Sequence, residues 1–527
     1  MRSDNRTEGD AVVDHVVVVG AGPTGLLLAT ELRLAGVPVT VVERAAERSP
    51  HSKALTLHPR TLEVFALRGI AERFTAEGAP LPVAHYAGLP TRLDLSVLDT
   101  RFPYTLILPQ LRTEQLLEER LRELGGEVRW SHRVLAVRQY ADGAGAEVEV
   151  AGPDGTGTLR AAWVVGCDGA GSTVRSSAGI DFPGTPTTLT GFLGDVLLDA
   201  PPPAEGAPSY DNAHGGIMVV PLAAGYHRIV GSTRGTSAAP SSQPFTLEEL
   251  RTAVREVAGT DFGMHTPRWL SRFGNAARQA ARYREGRVLL AGDAAHMHMP
   301  FGGQGLNVGV QDAFNLGWKL ASVCHGRAPA ALLDTYHDER HPVGAALLEN
   351  TRAQTVIGTA HTADTPALRS VLSGILADHP DVNRRLAGQI SALDVAYPDP
   401  GGALLVGERA PDVGLDGAPE PGLYPLLADG RFVLLHLMGT AAGADSIATA
   451  AALAGGEDRI RTVAARPTTV HRGWDGLATV LVRPDGHIAW AHHAVDGGAD
   501  GPEWATRRRR PVAGNGDGGA APLPGAA

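Results

Sequence analysis

A glycine-rich turn between two short apolar strands constrains this chain more than any other feature of its sequence. Val16–Val19 is a continuous apolar run, which is typical of a buried parallel strand. It leads directly into residues 20–25, GAGPTG, and a helix is predicted from there to Gly36. A second predicted strand, 38–42, ends at Glu43. Strand, GxGxxG, helix, strand and acid, in this order, form the dinucleotide-binding pattern.

Each part of this pattern suits a specific contact with a dinucleotide. The glycines permit the tight turn, the close approach of a pyrophosphate and the contact between helix and strand. A carboxylate such as Glu43 accepts hydrogen bonds from both hydroxyls of an unphosphorylated ribose, which favours FAD or NAD over NADP. A glycine-rich turn that binds no ligand is the alternative interpretation.

Two later stretches repeat an acid followed by glycines at a strand end. The predicted strand 158–165 leads to CDGAGSTVR at 167–175, where Asp168 either meets a ligand or caps the following helix. The stretch 287–307, RVLLAGDAAHMHMPFGGQGLN, starts as a strand, turns at Gly292-Asp293 and enters a helix near Leu306. Asp293 can accept hydrogen bonds from sugar-type hydroxyls, and a helix that begins among glycines favours an anion.

Composition excludes several classes of protein. The 527 residues predict two or three domains, and 43% hydrophobic with 20% charged residues is typical of a soluble globular chain. A net charge of -10 argues against a nucleic-acid partner. The two cysteines exclude a disulfide scaffold and a cysteine-based zinc site, and no metal is expected. No apolar run reaches the ~18 residues of a membrane span, and the polar N-terminus is not a signal peptide, so the cytoplasm is the expected location.

Residues 181–282 change character and indicate a separate antiparallel sheet. Alternating apolar segments are interrupted by one helix, predicted at 247–257, and this sheet is placed over a ligand pocket. For each candidate pocket residue a purely structural role is the competing interpretation. The candidates for a substrate pocket are His214, Met218, Pro300, Phe301 and Gly302.

The three strand-end motifs, taken in order, resemble the single-component FAD-dependent aromatic hydroxylases, the para-hydroxybenzoate hydroxylase-like class, over roughly residues 12–400. The resemblance implies an α/β fold with a Rossmann-like FAD-binding domain and an inserted antiparallel β-sheet domain for the substrate. The implied FAD-binding domain comprises 12–85, 106–180 and 283–398, and the implied substrate domain comprises 86–105 and 181–282.

The same resemblance assigns contacts with FAD residue by residue. Lys53 stands where the family usually has arginine, so the charge is kept and the planar fork is lost. The implied FAD-contacting residues are Gly20, Gly22, Pro23, Thr24, Gly25, Glu43, Arg44, Lys53, Gln110, Arg112, Val134, Asp168, Gly169, Arg175, Asp293, Pro300, Gly303, Gly305, Leu306 and Asn307.

The C-terminal part resembles the thioredoxin-like extension of phenol hydroxylases and of the actinomycete aromatic-polyketide hydroxylases. The resemblance rests on GERAPD at 407–412, FVLL at 432–435 and VRPDG at 482–486. It implies a thioredoxin-like α/β domain over 399–495, which has no cysteine and is therefore structural. The Gly-, Ala- and Pro-rich tail, 496–527, is predicted to be disordered.

The resemblance also implies the chemistry. The flavin would be reduced by NADPH or NADH and would react with O2 to a C4a-hydroperoxide, which hydroxylates a polycyclic phenol of the aromatic-polyketide type. The chain has one GxGxxG, so NAD(P)H would have no Rossmann site of its own. No side chain is predicted as a catalytic base, because an acidic phenol needs none. Baeyer–Villiger oxygenation, a non-catalytic flavin-binding scaffold and an oxygen-independent FAD dehydrogenase remain alternatives, as do a monomer and a homodimer.

Overall fold

The computed structural model describes residues 15–203, 207–360, 362–399, 401, 403, 405–437, 444–469, 471 and 473–493. The predicted disordered tail, 496–527, lies outside the described residues, as does the start of the predicted FAD-binding domain at 12–14. The architecture mixes helices with parallel and antiparallel sheets, which confirms the predicted α/β fold class. No helix in the described part of the chain has an apolar stretch long enough to cross a bilayer.

A six-stranded sheet forms the centre of the molecule. Its strands follow the spatial order Arg284–Glu285, Val288–Leu290, Trp163–Gly166, Val16–Val19, Val39–Val42 and Val128–Arg129. All neighbouring strands are parallel except for the antiparallel edge pair at Arg284–Glu285. Because parallel strands point the same way, the turns that follow three of them meet at one edge of the sheet.

Helices cover this sheet and carry its chain from strand to strand. Pro23–Leu34 follows the first strand, and the 21-residue helix Gln304–Cys324 packs against it. The predicted start near Leu306 is two residues late. The remaining helices are Pro59–Ala66, Ala71–Thr75, Gln110–Glu123, Thr173–Ser177, Arg234–Ser237, Leu247–Ala258, Asp334–Thr359, Thr365–Asp378, Pro380–Ser391, Leu423–Leu426 and Ala444–Ala454.

A five-stranded antiparallel sheet faces the central sheet across an open space. Its order is Ser209–Asn212, Gly215–Pro221, Tyr226–Thr233, Thr190–Leu198 and Met264–Gly274. Because side chains alternate along a strand, one face packs on the helix Leu247–Ala258 and the other is free to line a cavity. The helix starts with a capping box, in which Thr246 N donates to the Glu249 carboxylate at 2.8 Å and Glu249 N donates to Thr246 Oγ1 at 3.2 Å.

Shorter strands complete the N-terminal two thirds of the chain. A three-stranded meander follows the first helices of the central sheet, and small ladders border the open space. These strands are Arg133–Gln139, Ala146–Gly152 and Gly155–Ala161; Thr56–Leu57, Ala79–Leu81 and Thr105–Ile107; Val83–Ala84 and Leu93–Asp94; and Gly184–Thr185, Ala277–Gln279 and His296–Met297.

The C-terminal part contains a four-stranded mixed sheet, in the order Ile460–Ala464, Phe432–His436, Leu477–Val482 and Ile488–His493, and the short pair Leu415–Asp416 and Arg466–Pro467. A buried ionic cluster joins it to the long helices. Arg483 Nη1 donates to Glu339 at 2.7 Å, Lys319 Nζ donates to the same carboxylate at 2.8 Å, and Trp318 Nε1 donates to Asp485 at 3.0 Å. Burial is the largest influence on Lys319 and lowers its pKa to about 8 despite the neighbouring Glu339.

Candidate active site

A cavity of about 900 Å³ lies where the strand-end turns of the central sheet face the five-stranded sheet. One end is polar and formed by the turns. The other end is mainly apolar and includes Leu193, Met218, Val230 and Trp269 from the five-stranded sheet. The cavity is continuous from the first glycine turn to this apolar chamber, and its volume is that of a site for a large ligand.

The three strand-end turns are in direct contact with one another. A β-carbon added to Gly20 would lie 2.4 Å from the Cys167 carbonyl oxygen, and one added to Gly292 would lie 2.8 Å from Thr24 Oγ1. Both glycines also have positive φ, 105° and 62°. The sequence motifs at 20–25, 167–175 and 292–307 therefore converge, as their order along the chain predicted.

The first turn is closed by backbone at both ends and open in the middle. A β-carbon on Gly25 would lie 2.0 Å from the Gly20 carbonyl oxygen, whereas one on Gly22 would meet no protein atom within 4 Å. Glu43 lies beside the turn and accepts hydrogen bonds from Ala21 N and Ala45 N, each at 3.0 Å. These bonds orient the carboxylate and leave lone pairs available at the cavity.

The second turn combines a helix cap with an open glycine wall. The Asp168 carboxylate accepts hydrogen bonds from Thr173 N at 2.7 Å and from Val174 N at 3.2 Å, so it does cap the helix Thr173–Ser177. Asp168 also lines the cavity together with Gly169 and Gly171, neither of which would bring a β-carbon within 4 Å of other atoms. Both interpretations of this aspartate are therefore compatible with the geometry.

Buried charged side chains stabilise the third turn on the side away from the cavity. Gly292 N donates to Asp312 at 3.1 Å, and the same carboxylate binds His296 Nε2 at 2.7 Å and Arg340 Nε at 2.7 Å. Burial alone would raise the pKa of Asp312, but Arg340 and His296 outweigh it and hold that pKa below its usual range. Asp293 is thereby left on the cavity side, where it is exposed.

The glycine loop before the long helix completes the polar end. Gly302 and Gly303 take left-handed conformations, with φ of 73° and 65°, and the helix Gln304–Cys324 begins directly after them. His58 Nε2 is 2.8 Å from the Gly302 carbonyl oxygen, and Asn307 Nδ2 donates to Gly303 O at 2.8 Å. The helix N-terminus therefore faces the cavity with its free N–H groups and partial positive charge.

Most predicted cofactor residues line the cavity. These are Gly20, Gly22, Pro23, Thr24, Glu43, Arg44, Lys53, Gln110, Val134, Asp168, Gly169, Asp293, Pro300, Gly303, Gly305 and Leu306. Gly25 is not among them because it is buried against Gly20.

Three further predicted cofactor residues make protein contacts instead of lining the cavity. Arg112 pairs with Glu77 at 2.6 Å on the outer side of its helix. Arg175 donates to the carbonyl oxygens of Ala170 and Ala294, both at 2.8 Å, and so ties the second turn to the third. The Asn307 amide holds the glycine loop from behind, as described above.

The predicted substrate residues divide in the same way. Met218, Pro300 and Gly302 line the cavity. His214 is exposed in the turn between the two strands that flank it, and Phe301 packs against Gly358, so neither lines the cavity. His214 lies beyond the end of the strand Ser209–Asn212, so the alternation of side chains along that strand does not direct it towards the cavity.

Residues that the sequence analysis did not single out form part of the chamber. His85 and Arg92 lie on either side of the boundary between the implied FAD-binding segment 12–85 and the implied substrate-domain segment 86–105. Burial, followed by the charges of Arg92 and His58, lowers the pKa of His85 to about 4. Trp269 and Arg228 also line the chamber, and Arg228 is neutralised by Asp195 at 2.8 Å. The signal that could have found His85 and Arg92 is the hairpin around 88–90, which brings the two together.

The polar end fits the adenine dinucleotide part of a flavin on its own geometry. The open cradle at Gly22, the oriented Glu43 carboxylate and the N-terminus of the helix Pro23–Leu34 suit the ribose and pyrophosphate of the dinucleotide pattern. The family model described as FAD binding domain matches residues 14–351, and the one described as aromatic-ring hydroxylase, C-terminal, matches residues 403–509. This chain belongs to the FAD-dependent aromatic-ring hydroxylases.

Individual relatives agree with this assignment. The hydroxylase is 50% identical over 490 residues to a Bacillus subtilis protein described as an uncharacterized aromatic compound monooxygenase, covering 90% of this chain and 94% of that protein. It is 46% identical over 498 residues to the 12-dehydrotetracycline 5-monooxygenase/anhydrotetracycline 6-monooxygenase of Streptomyces rimosus, covering 92% and 96%. The solved anhydrotetracycline hydroxylase from Streptomyces rimosus superposes with a TM-score of 0.82 at 45% identity, covering 91% and 95%. The hydroxylase is therefore a flavoprotein of the monooxygenase class.

Asp293 provides a direct test of the site. We expect Asp293→Ala to weaken FAD binding at least about tenfold, because a charged acceptor for ligand hydroxyls is lost. The exposed side chain makes no hydrogen bond to another described residue, so the melting temperature of the flavin-free protein should stay unchanged. Quenching of flavin fluorescence on titration into apoprotein measures the first quantity and calorimetry the second. Unchanged affinity would contradict the assignment, and Glu420→Ala, at an exposed position of the C-terminal part, is the control.

Proposed function

We propose that this hydroxylase binds FAD along the polar end of the cavity and oxygenates a polycyclic phenol in the apolar chamber, with NADPH or NADH and O2 as co-substrates. The observation that carries the proposal is the single continuous cavity between the strand-end turns and the five-stranded sheet. The named activities of the relatives on tetracycline-type compounds support a fused-ring aromatic-polyketide substrate.

Residues of the three turns would hold the cofactor. Glu43 would bind the adenosine ribose, the 20–25 turn the pyrophosphate, and Asp293 the ribityl hydroxyls. Bound FAD would supply two-electron redox chemistry and the activation of O2. The remaining residues proposed to contact it are Arg44, Lys53, Gln110, Val134, Asp168, Gly169, Pro300, Gly303, Gly305 and Leu306.

The protein's own contribution is to orient the rings and to exclude water. The N-terminus of the helix Gln304–Cys324 presents partial positive charge at the glycine loop, where negative charge would be stabilised. Leu193, Val230 and Trp269 form an apolar wall that keeps solvent from the reacting centre. Lys53 is exposed at the cavity, where an ammonium can meet an anionic nicotinamide cofactor without a second dinucleotide fold.

The substrate chamber has room for fused rings. Its walls combine Met218 with aromatic and branched side chains, which suit flat apolar surfaces. Because the cavity is one space, a ring system in the chamber would adjoin the glycine loop at 302–303 and the end of the cofactor that reacts.

We also propose the domain organisation. The FAD-binding domain comprises 12–85, 106–180 and 283–398, the substrate domain comprises 86–105 and 181–282, and a thioredoxin-like domain comprises 399–495. The mixed sheet containing Phe432–His436 and the helix Ala444–Ala454 support the last of these. Both cysteines of the chain, Cys167 and Cys324, precede it, so its role is structural.

Purification and a turnover assay test the proposal. The isolated protein is expected to be yellow, and NADPH oxidation is expected to accelerate with a fused-ring phenol such as anhydrotetracycline. Mass spectrometry should find one oxygen atom from ¹⁸O₂ in the product, and NMR then separates ring hydroxylation from Baeyer–Villiger insertion. Oxidation of NADPH that no phenol accelerates would favour a flavin-binding scaffold, and turnover without labelled oxygen would favour a dehydrogenase.

A further inference from the structure

Two side chains that the reaction scheme leaves without a role line one wall of the chamber. The strands Val83–Ala84 and Leu93–Asp94 are antiparallel, and Ala84 pairs with Leu93. His85 directly follows the first strand and Arg92 directly precedes the second, and the charge of Arg92 acts on the pKa of His85. Both line the cavity.

Arg92 has no balancing charge in the described part of the chain. Its Nη2 donates two long hydrogen bonds, 3.4 Å to Ala207 O and 3.3 Å to Ser209 Oγ, and no described carboxylate lies within 4 Å of the guanidinium. Burial lowers the pKa of Arg92. A partly buried cation at the wall of a cavity, with no described anion beside it, is available to pair with a negatively charged group of a ligand.

The other charged groups of the cavity make this location distinctive. The acidic lining residues, Glu43, Asp168 and Asp293, all belong to the polar end. In the chamber, Arg228 already has Asp195 as its partner, and Arg272 has Glu249. Arg92 is thus the cation of the chamber that has no carboxylate partner among the described residues.

His85 adds a second polar group to the same wall. Its Nδ1 is buried and has no hydrogen-bond partner among the described residues. With its pKa lowered to about 4 by burial and by Arg92, the ring is neutral at physiological pH and keeps one donor and one acceptor. His58 also influences the pKa of His85, and its Nε2 is 2.8 Å from the carbonyl oxygen of Gly302 in the glycine loop.

We propose that His85 and Arg92 form a subsite for an ionised oxygen, a phenolate or an enolate, of the polycyclic substrate. The proposal rests on the function proposed above. The substrate would bind as its conjugate base, with its hydroxyl proton released to solvent and no other bond broken. Arg92 would pair with the anionic oxygen, and His85 would hydrogen-bond to the oxygen beside it, so the site selects rings that carry an acidic hydroxyl next to a second oxygen.

Alizarin, a flat tricyclic phenol with neighbouring oxygens, is a suitable probe because its visible band shifts when it ionises. The flavin-bound protein should take up the anionic form at a pH where the free dye is neutral. A tenfold preference for the anion lowers the apparent pKa of the dye by about one unit. The other ionisable groups of the cavity, which pH titration must account for, are Glu43, Arg44, Lys53, His58, His132, Arg133, Cys167, Asp168, Arg228, Arg272, Asp293 and His298.

Variants separate this role from a structural one. Arg92→Gln should abolish the shift of the dye, Arg92→Lys should keep most of it, and His85→Leu should weaken dye binding about tenfold. Arg160→Gln, on an exposed strand of another sheet, is the control and should change nothing. The flavin spectrum and melting temperature of each variant show whether it is folded.

Three outcomes would overturn the subsite. They are alizarin bound in its neutral form, a dye shift that survives in Arg92→Gln, and no binding of the dye at all. In each case NADPH oxidation stimulated by anhydrotetracycline would still support the proposed function. Loss of that stimulation in the unaltered protein would overturn the proposed function instead.

Discussion

Replacing Gly22 with alanine is expected to strip this hydroxylase of FAD while its fold stays intact. The new methyl group would meet no protein atom within 4 Å, and the φ and ψ of Gly22, -75° and 179°, suit alanine. It would instead occupy the space where the cofactor's pyrophosphate must approach the backbone. We expect an affinity loss of at least about a hundredfold, ~3 kcal/mol, with an unchanged melting temperature of the apoprotein.

Gly25→Ala is the matched comparison within the same turn. Its methyl group would lie 2.0 Å from the Gly20 carbonyl oxygen, so the turn has to open. This variant should lose about 3 kcal/mol of folding stability as well as the flavin. Flavin fluorescence titration and urea unfolding of both apoproteins measure the difference. Normal flavin affinity in Gly22→Ala would show that the cofactor does not approach this turn.

The second large effect is expected when Arg340 is replaced with methionine. Arg340 and Asp312 are both fully buried, and removing the guanidinium leaves the carboxylate without its main counter-ion. Breaking such a pair costs about 3–5 kcal/mol. Because Asp312 also holds Gly292 N, the third turn should loosen and flavin affinity should fall as well. Urea unfolding at pH 7 measures the stability loss.

The effect of Arg340→Met depends on pH in a defined direction. In the unaltered protein the pKa of Asp312 is lowered, so its contribution is present above about pH 4 and is lost as pH falls through the folded value. In the variant, burial is opposed only by His296 and by the hydrogen bond from Gly292 N, so the pKa of Asp312 rises and protonation relieves the buried charge. The stability difference between the two proteins should therefore be larger at pH 7 than at pH 4.

A double variant completes this test. Asp312→Asn combined with Arg340→Met removes both charges but keeps an acceptor for Gly292 N and His296. Since an unpaired buried charge is the main cost, the double variant should regain most of the stability that the single one lost. A double variant as unstable as Arg340→Met would show that packing of the arginine, and not its charge, is what matters.

The sequence motifs predicted the backbone features that depend on interactions between residues close together in the sequence. A buried parallel strand, a turn that only glycine can adopt and an acid at the next strand end each have a short-range signature. Gly20, Gly22, Glu43 and Asp293, which these signatures single out, all line one cavity. The family resemblance is confirmed by the matches to the FAD-binding and aromatic-ring hydroxylase families.

Predictions about side-chain direction were less successful where a residue has alternative partners in space. Arg112 meets Glu77, 35 positions away, and Arg175 meets the carbonyl oxygen of Ala294, 119 positions away. His214 lies in an exposed turn, although the strand after it contributes Met218 to the cavity. The hydrogen-bond partner of each side chain depends on which groups the fold brings within bonding distance. A local sequence motif does not contain that information.

The amino-acid sequence by itself determined the three strand-end turns and their order, because backbone sterics and apolar periodicity act over a few residues. The tertiary structure alone decided which side chains line the chamber and which buried charges lack a partner. His85 and Arg92 show this most clearly. Neither belongs to a motif, and they come to the same cavity wall only because each adjoins one strand of the antiparallel pair Val83–Ala84 and Leu93–Asp94.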